Sequence, residues 1–252
     1  MDLQLTGTRV LVTGGSRGIG RAIVSAFLDE GATVAFCARN PDEVRETQES
    51  LSARGRVVGS VVDVADGDAL AAWVETCAGD LGGIDVVVAN VSALAIPDTE
   101  ESWQASLNVD LMHTVRMVRA ALPHLERSDN ASIVAISSVS GRESDFASGP
   151  YGTVKTAIIG YVHGLAMQLA EKGIRANTVS PGNTYFEGGV WSSIETGNPE
   201  LFRTAVELNP TGQMGTPEQV AAPVVFLAST AASRISGTNL VVDGALTRGV
   251  QL

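Results

Sequence analysis

The sequence predicts an α/β fold, in which one doubly wound parallel sheet of about seven strands carries helices on both faces. Apolar segments alternate with segments of helical periodicity along the whole chain. Most of the apolar segments are near-continuous runs of Val, Ile and Ala, which are typical of strands buried on both faces. We find no linker, internal repeat or low-complexity stretch, so we expect residues 1–252 to form a single domain.

The individual elements follow from these runs and from capping signals. The first helix is predicted over residues 19–30, because Ile19, Ile23 and Phe27 recur at helical spacing and Gly31 follows. A second helix is expected to begin after Asn40, which is followed by Pro and then by Glu three positions after the Asn. The longest expected irregular region is 182–216. The predicted strands are residues 9–13, 33–38, 56–62, 85–90, 132–137, 175–180 and 239–242.

Charge and composition limit the classes of partner. The net charge is −11, so the surface repels nucleic-acid backbones and anionic membranes. No apolar run reaches the roughly 18 residues of a membrane span. The N-terminal segment MDLQLTGTRVLV lacks the basic start and the cleavage site of a signal peptide. We therefore expect a cytoplasmic protein with no nucleic-acid partner and no membrane partner.

The cysteines and histidines lack the spacing of a metal or redox site. Cys37 lies in the apolar run TVAFCA and is expected to be a small core residue, and Cys77 has no partner at a suitable spacing. His113, His124 and His163 fall within helical patterns and do not cluster. We expect surface or packing roles for all three histidines, and no metal site.

The segment TGGSRGIG, residues 13–20, places four glycines directly after the first predicted strand. In open α/β sheets, ligands bind outside the carboxyl ends of the strands, and glycine lets a phosphate approach the N–H groups at the start of a helix. A nucleoside-triphosphate loop is excluded, because Arg21 and Ala22 follow Gly20 where that loop needs Lys and then Ser or Thr. A structural glycine turn remains the alternative to a phosphate site.

The ends of other predicted strands also carry polar or glycine-containing signatures: Asp63, Asn90, Ser137-Ser138 and Pro181-Gly182. The segment PYGTVKTA then places Tyr151 and Lys155 four positions apart, which puts both side chains on one face of a helix. A phenol ordinarily ionises near pH ~10, and a neighbouring ammonium favours the phenolate that acid–base chemistry at neutral pH requires. The alternative interpretation is an amphipathic helix that carries one Tyr and one Lys without a catalytic role.

Together, these segments resemble the short-chain dehydrogenases/reductases, in the branch of about 250 residues. The matching segments, in the order and spacing of the family, are TGGSRGIG, DVAD, VVVAN, SLNVDL, IVAISSVSG, YGTVK, IRANTVSPG and LVVDG. The resemblance extends over essentially the whole chain. The resemblance implies a Rossmann-like sheet and an NAD(P)-dependent oxidoreductase that acts on a carbonyl compound or a secondary alcohol.

The resemblance also implies a catalytic set, which consists of Asn108, Ser138, Tyr151 and Lys155. Tyr151 would act as general acid or base, and Ser138 would hold the carbonyl or hydroxyl oxygen. Lys155 would bind the nicotinamide ribose and assist Tyr151, while Asn108 would fix a proton-relay water. Ser137 competes with Ser138, but the interval of thirteen positions from Ser138 to Tyr151 is the usual one in the family.

The resemblance assigns cofactor binding to Gly14, Ser16, Arg17, Gly18, Ile19, Gly20, Arg39, Asp63, Val64, Asn90, Tyr151, Lys155, Pro181, Gly182 and Thr184. Two segments depart from the family pattern. Val91 and Ser92 follow Asn90 where the family usually has Ala and Gly, so we expect a modest local rearrangement with binding retained. Thr184 is only an approximate equivalent of the threonine that contacts the carboxamide.

The residues after the second strand favour NADP(H), with NAD(H) as the alternative. NAD-preferring enzymes usually place an acidic residue there for the ribose 2′-hydroxyl, whereas FCARN offers no carboxylate before Asp42. Arg39 follows the strand and Arg17 lies in the glycine-rich segment, so two guanidinium groups can converge on a 2′-phosphate. The alternative interpretation is that Arg39 is a solvated loop residue, and Arg17 also occurs in NAD-dependent relatives.

The substrate is less well specified, although an apolar small molecule is expected. Segment 183–216 is predicted to form a lid, and its apolar residues either cover the pocket or form a satellite core under a long loop. These residues are Tyr185, Phe186, Val190, Trp191, Ile194 and Phe202. The chain is also similar to 3-oxoacyl-carrier-protein reductases, but its charge disfavours docking of an acidic carrier protein. A non-catalytic dinucleotide-binding regulator is the remaining alternative, and it would not need the catalytic set.

Two helical segments, 103–125 and 151–169, are apolar on more than one face. A sheet covers only one side of a helix, so the other side is expected to contact a second copy of the chain. We therefore predict a homo-oligomer of closed symmetry, a tetramer by resemblance to the family.

Overall fold

The computed structural model describes residues 2–250, and they contain one sheet of seven parallel strands in the order β3-β2-β1-β4-β5-β6-β7. The strands are β1 (Arg9–Thr13), β2 (Thr33–Ala38), β3 (Val57–Val61), β4 (Val86–Ala89), β5 (Ser132–Ile136), β6 (Arg175–Pro181) and β7 (Asn239–Val242). The predicted α/β fold class is confirmed, and each predicted strand is present to within one residue at either end.

The helices alternate with the strands and lie on both sheet faces. They are α1 (Gly18–Asp29), α2 (Pro41–Leu51), α3 (Gly67–Leu81), α4 (Glu100–Ala105), α5 (His113–Leu125), α6 (Pro150–Leu169), α7 (Val190–Gly197), α8 (Pro199–Leu208) and α9 (Pro217–Ala228). A π-helical segment, Ser106–Met112, joins α4 to α5. The Asn40 side chain caps α2 by accepting hydrogen bonds from the N–H groups of Asp42 and Glu43, as the sequence predicts.

Successive residues of β1 point to opposite faces of the sheet and so belong to two separate cores. Val10 and Val12 pack with Phe27 of α1 and with the apolar side of α9. Leu11 packs in the other core, where Met117 of α5 lies. Helices α3, α5 and α6 cover this second face, whereas α1, α2 and α9 cover the first.

The chain order reverses at β1, which pairs with β2 on one side and with β4 on the other. Such a switch point leaves a crevice at the carboxyl ends of the strands, because the connections leave in opposite directions. The sheet thereby brings together strand ends that are far apart in the sequence.

The expectation that 182–216 is the longest irregular region is wrong, because this segment contains α7 and α8. The Asn198 side chain caps α8 by accepting a hydrogen bond from the N–H of Leu201, and Pro199 occupies the first helical position. This is the same Asn-Pro signal that predicted α2, so the sequence contained the information. The two helices form a small satellite core around Trp191 and Met214.

No helix within residues 2–250 has the length and apolar character needed to cross a bilayer.

Two large apolar side chains are exposed on the helical segments that are predicted to contact a second copy of the chain. Leu107 in the π-helical segment is 44% exposed and Met167 of α6 is 78% exposed. We expect the chain to form a homo-oligomer, as a tetramer, because association removes such surfaces from water. Light scattering at micromolar concentration checks this, and a monomeric mass under these conditions would contradict it.

Candidate active site

The glycine-rich segment forms a closely packed turn between β1 and α1. A Cβ at Gly20 would lie 2.0 Å from the carbonyl oxygen of Gly14, so no larger residue fits there without moving the backbone. Asn90 tightens the turn from β4, since its Nδ2 donates to the carbonyl oxygens of Thr13 (3.1 Å) and Gly14 (3.3 Å). At the start of α1, the N-cap residue Arg17 makes no capping hydrogen bond with its side chain. The N–H groups of the first turn are therefore suited to an anion.

This turn opens into a cleft of about 630 Å³ at the carboxyl ends of the strands. Of the residues expected to bind the cofactor, the cleft is lined by Gly14, Ser16, Arg17, Ile19, Gly20, Arg39, Asp63, Val64, Asn90, Tyr151, Lys155, Pro181, Gly182 and Thr184. Gly18 is the exception. It lies under the ring of Phe186, where a Cβ would come within 2.5 Å of the ring carbons.

One end of the cleft, beyond β2, carries Arg39 and a carboxylate. Arg17 and Arg39 are both exposed and both line the cleft, and the Arg17 guanidinium lies 3.5 Å from the carbonyl oxygen of Gly188. Glu43, in the first turn of α2, also lines it and accepts a hydrogen bond from the Ser16 hydroxyl at 2.9 Å. The sequence interpretation placed the first carboxylate at Asp42 and overlooked Glu43. The only available signal was that Glu43 follows the cap Asn40 by three positions, in the helix turn nearest the glycine-rich segment.

The other end of the cleft holds Ser138, Tyr151 and Lys155. The Lys155 side chain is 2% exposed, and its Nζ lies 5.6 Å from the centre of the Tyr151 ring. This ammonium donates a hydrogen bond to the carbonyl oxygen of Ile136, at the end of β5 (3.1 Å). The packing of α6 against β5 therefore fixes the Tyr–Lys pair beside the cleft.

The two neighbouring serines have different surroundings. The Ser137 hydroxyl donates a hydrogen bond to the backbone carbonyl of Lys155 at 2.8 Å, so it ties β5 to α6. The Ser138 hydroxyl accepts a hydrogen bond from the N–H of Ser140 at 3.2 Å, and its own proton stays available for another acceptor. This difference favours Ser138 over Ser137 as the group that holds a substrate oxygen.

Asn108 does not join the other three residues at the cleft wall. Its side chain accepts a hydrogen bond from the Arg116 guanidinium (2.7 Å) and donates one to the carbonyl oxygen of Ala65 (3.3 Å). Its backbone carbonyl accepts a hydrogen bond from the N–H of His113, five positions later, which is the hydrogen-bond spacing of a π-helix. A role of Asn108 in fixing a relay water therefore stays a prediction and would have to use the backbone rather than the side chain.

A buried polar cluster lies behind Lys155. The Asp110 side chain is 1% exposed, and its Oδ1 lies 3.1 Å from the Lys155 Nζ. On the other side, His113 is fully buried and its Nε2 is 2.9 Å from the Thr13 hydroxyl. Burial lowers the pKa of His113 to about 4, so this histidine is neutral near pH ~7. The sequence interpretation gave His113 a surface or packing role and did not identify Asp110.

The segment after Asn90 departs from the family pattern and lies at the cleft. Val91 and Ser92 line the cleft. Leu94 has a φ of 49°, a left-handed conformation that is strained for a side chain of this kind. The N–H of Ala93 donates to Oδ2 of Asp110 at 2.9 Å, which holds this connection against the π-helical segment. The local rearrangement expected from the missing glycine stays a prediction.

Aromatic and aliphatic side chains cover the remaining part of the cleft. The rings of Phe146 and Trp191 meet edge to face with centres 5.8 Å apart. Trp191 also belongs to the satellite core, so the satellite core is present and some of its residues line the cleft. The lid stays a prediction. Phe146 was missed because the segment RESDFASGP has no periodicity that would have assigned it to a site.

Within residues 2–250 no three His, Cys, Asp or Glu side chains are grouped as a metal site. Cys37 and Cys77 are buried free thiols, and burial raises the pKa of each to about 12. Thiols of this kind are unreactive at neutral pH.

Comparison with known proteins decides the family. A family model described as "Enoyl-(Acyl carrier protein) reductase" matches residues 14–247. The chain belongs to the short-chain dehydrogenase/reductase family of oxidoreductases. It is 43% identical to isoepoxydon dehydrogenase of Penicillium expansum, over 98% of this chain and 97% of that protein. It is 34% identical to a 3-oxoacyl-[acyl-carrier-protein] reductase of Thermotoga maritima, over 97% and 99% of the two chains.

A solved member of the short-chain dehydrogenase/reductase family has the same architecture. The crystal structure of L-sorbose reductase from Gluconobacter frateurii, complexed with NADPH and L-sorbose, superposes with a TM-score of 0.91. The two sequences are 26% identical, and the superposition covers 99% of this chain and 100% of that one. The resemblance stated from the sequence motifs is thereby confirmed for both family and fold.

The buried neutral His113 generates a prediction about stability and pH. Its folded pKa of about 4 lies below the ordinary value of 6.5, so the unfolded chain binds a proton that the folded chain does not. Stability is therefore lost as the pH falls from the ordinary value towards the folded one. Between about pH 7 and about pH 5 we expect wild type to lose about 2 kcal/mol more unfolding free energy than His113→Gln.

Urea unfolding at the two pH values measures this difference. His163→Gln is the matched control, because His163 is exposed. A His113→Gln variant with the same pH dependence as wild type would show that His113 does not titrate in this way.

Proposed function

We propose that this enzyme transfers a hydride between NADP(H) and a small carbonyl compound or secondary alcohol, with Tyr151 as the general acid or base. The observation that carries the proposal is the buried ammonium of Lys155 below the Tyr151 ring, at a cleft that begins at the glycine-rich turn. A buried charge at this point is costly for a protein that only needs a packed core. A regulator without catalysis would have no use for it.

The residues of the cleft fit a dinucleotide. The Gly14–Gly20 contact leaves no room for side chains on the inner side of the turn, and the start of α1 offers uncapped N–H groups for the pyrophosphate. Asp63 and Asn90 line the cleft at the ends of their strands, and Thr184 lines it beyond β6. The relatives named above include an enzyme solved with NADPH, which supports the same cofactor for this chain.

The bound nicotinamide would supply or accept the hydride. Ser138 would orient the substrate oxygen with its hydroxyl proton. In the reducing direction, Tyr151 would donate its phenolic proton to that oxygen as the alcohol forms, and in the oxidising direction the phenolate would remove the proton. The Lys155 ammonium stabilises the negative charge that Tyr151 carries in either case, because opposite charges at short range favour the ionised form.

The arginines favour NADP(H) over NAD(H), but the chain also contains an opposing charge. Arg39 presents its guanidinium at the end of the cleft beyond β2, which would hold the adenosine, and Arg17 lines the cleft at the glycine-rich turn. Guanidinium groups suit a 2′-phosphate. Glu43 lies at the same end, where a carboxylate repels a phosphate and accepts hydrogen bonds from a ribose hydroxyl. We infer that the enzyme prefers NADP(H) over NAD(H), and that the negative charge of Glu43 makes this preference smaller.

The substrate end favours a compact molecule with an apolar body. Phe146 and Trp191 supply apolar surface, and Ser140 and Asp145 add one polar group pair, with the Ser140 hydroxyl 2.6 Å from the Asp145 carboxylate. In this proposal segment 183–216 is the lid. A carrier-protein thioester is the second candidate, supported by the resemblance to the Thermotoga maritima reductase. Turnover with a panel of small ketones, secondary alcohols and 3-oxoacyl thioesters separates the two.

The general acid–base assignment predicts the effect of Tyr151→Phe. This variant removes only the proton that is transferred, so turnover should fall by about 10²–10⁴-fold while cofactor affinity stays close to wild type. Steady-state kinetics and cofactor fluorescence titration measure the two quantities. The matched control is Tyr161→Phe on the same helix, outside the cleft, which should keep its turnover. Near-wild-type turnover of Tyr151→Phe would refute the assignment.

The charges at the adenosine end predict opposite effects of two substitutions on cofactor choice. Arg39→Ala should lower the NADPH-to-NADH ratio of kcat/KM by about tenfold or more, because one charge-assisted contact is lost. Glu43→Gln should raise the ratio, since it keeps an acceptor for Ser16 but removes the negative charge. Arg45→Ala is the control, because Arg45 is on the same helix but outside the cleft and pairs with Asp42. A wild type that favours NADH, or an Arg39→Ala variant with an unchanged ratio, would contradict the cofactor assignment.

A further inference from the structure

The mechanism proposed above gives no task to the buried carboxylate of Asp110. Its side chain is 1% exposed in the π-helical segment, and a carboxylate buried to this extent requires polar or charged partners. One oxygen, Oδ2, accepts from the N–H of Ala93, while the other lies 3.1 Å from the Lys155 ammonium. Oδ1 has no aligned hydrogen-bond donor within the described residues, so its contact with Lys155 is an ion pair.

The charges around this pair are few. Helix α6 contributes Lys155 itself and Tyr151, and the π-helical segment contributes Asp110. Helix α5 contributes His113 and Arg116, of which His113 is neutral near pH ~7 and Arg116 is bonded to the side chain of Asn108. The strands β1 and β5 present only hydroxyl and carbonyl groups, from Thr13, Ser137 and Ile136. Asp110 is therefore the anion that faces the Lys155 ammonium from behind.

We propose that Asp110 is a positioning residue for the reaction proposed above. It holds the Lys155 ammonium in place, and its negative charge offsets part of the effect that the positive charge of Lys155 has on Tyr151. An ammonium has three N–H donors. One donates to the carbonyl oxygen of Ile136, and Asp110 attracts the group on the buried side, so the side chain is held against β5 and the π-helical segment. The face towards Tyr151 and the cleft is left for the reaction.

The counterbalance has a defined direction. Asp110 adds a negative charge beside the Tyr–Lys pair, and a negative charge makes the loss of a proton from either member less favourable. Asp110→Asn removes this charge but keeps an oxygen for the N–H of Ala93. The pair should then release its first proton at lower pH. In alcohol oxidation, the acidic limb of the pH profile of kcat/KM should move to lower pH by about one unit.

A spectroscopic titration tests the same point without any turnover, so its outcome is independent of the proposed reaction. The phenolate of Tyr151 is followed by ultraviolet absorbance, and the signal of the other two tyrosines is removed by subtracting the matching Tyr151→Phe protein. We expect the Tyr151 midpoint in Asp110→Asn to lie about one pH unit below that of wild type. Asp110→Glu, which keeps the charge, should restore the wild-type midpoint even where kcat is lowered by the longer side chain.

Asp80→Asn is the matched control, because it removes the same charge from an exposed position on α3. Its titration should coincide with that of wild type. Thermal unfolding shows which variants are folded, and Asp110→Ser replaces Asp110→Asn if the latter is not. An unchanged midpoint in a folded Asp110→Asn or Asp110→Ser protein, or a shift to higher pH, would overturn the proposal and leave Asp110 with a purely structural role. Failure of the reaction proposal, in contrast, would appear as an active Tyr151→Phe enzyme.

Discussion

The burial of one positive charge, the Lys155 ammonium, constrains much of the structure around it. The nearly complete removal of this group from water is tolerable only if carbonyl and carboxylate oxygens replace the lost hydration. The end of β5 supplies the Ile136 carbonyl, and the π-helical segment supplies Asp110. The backbone of Lys155 is tied in turn to Ser137. Strand β5, helix α6 and the π-helical segment must therefore meet at one point, and that point forms the wall of the cleft.

The π-helical segment contributes the anion at this point. If the helix from Glu100 to Leu125 were α-helical throughout, the residues after the π-helical segment would be rotated around the helix axis by about one residue, or ~100°, from their observed positions. With the interruption, both Asp110 and His113 are buried, on the sides of Lys155 and of Thr13 respectively. His113 in turn contacts the Thr13 hydroxyl, to which the N–H of Asn90 also donates, so the same segment supports the glycine-rich turn.

Most of the fold could be predicted from the sequence, because strands buried on both faces and capped helices have local signatures. The runs that form β1, β2 and β7 gave their bounds directly, and the Asn40-Pro41 pair gave the start of α2. The site was predictable as far as motif residues such as Ser138 and Tyr151 are concerned. Asp110 and Glu43 were not, because their importance depends on the group that faces each of them, and no local pattern records that contact. Helix α8 was missed for a different reason: its capping signal was present but was outweighed by the length expected of an irregular lid.

Segment 183–216 contacts two separate parts of the cleft. Phe186 lies on Gly18, and the Arg17 guanidinium is 3.5 Å from the carbonyl oxygen of Gly188, so the first part of the segment rests on the glycine-rich turn. A few residues later, Trp191 meets Phe146 at the opposite end and anchors the satellite core. Phe186 and Trp191 lie five positions apart, with Gly188 and Gly189 between them and α7 beginning at Val190. In the proposed function, one segment would thus contribute to the enclosure of both the cofactor and the substrate.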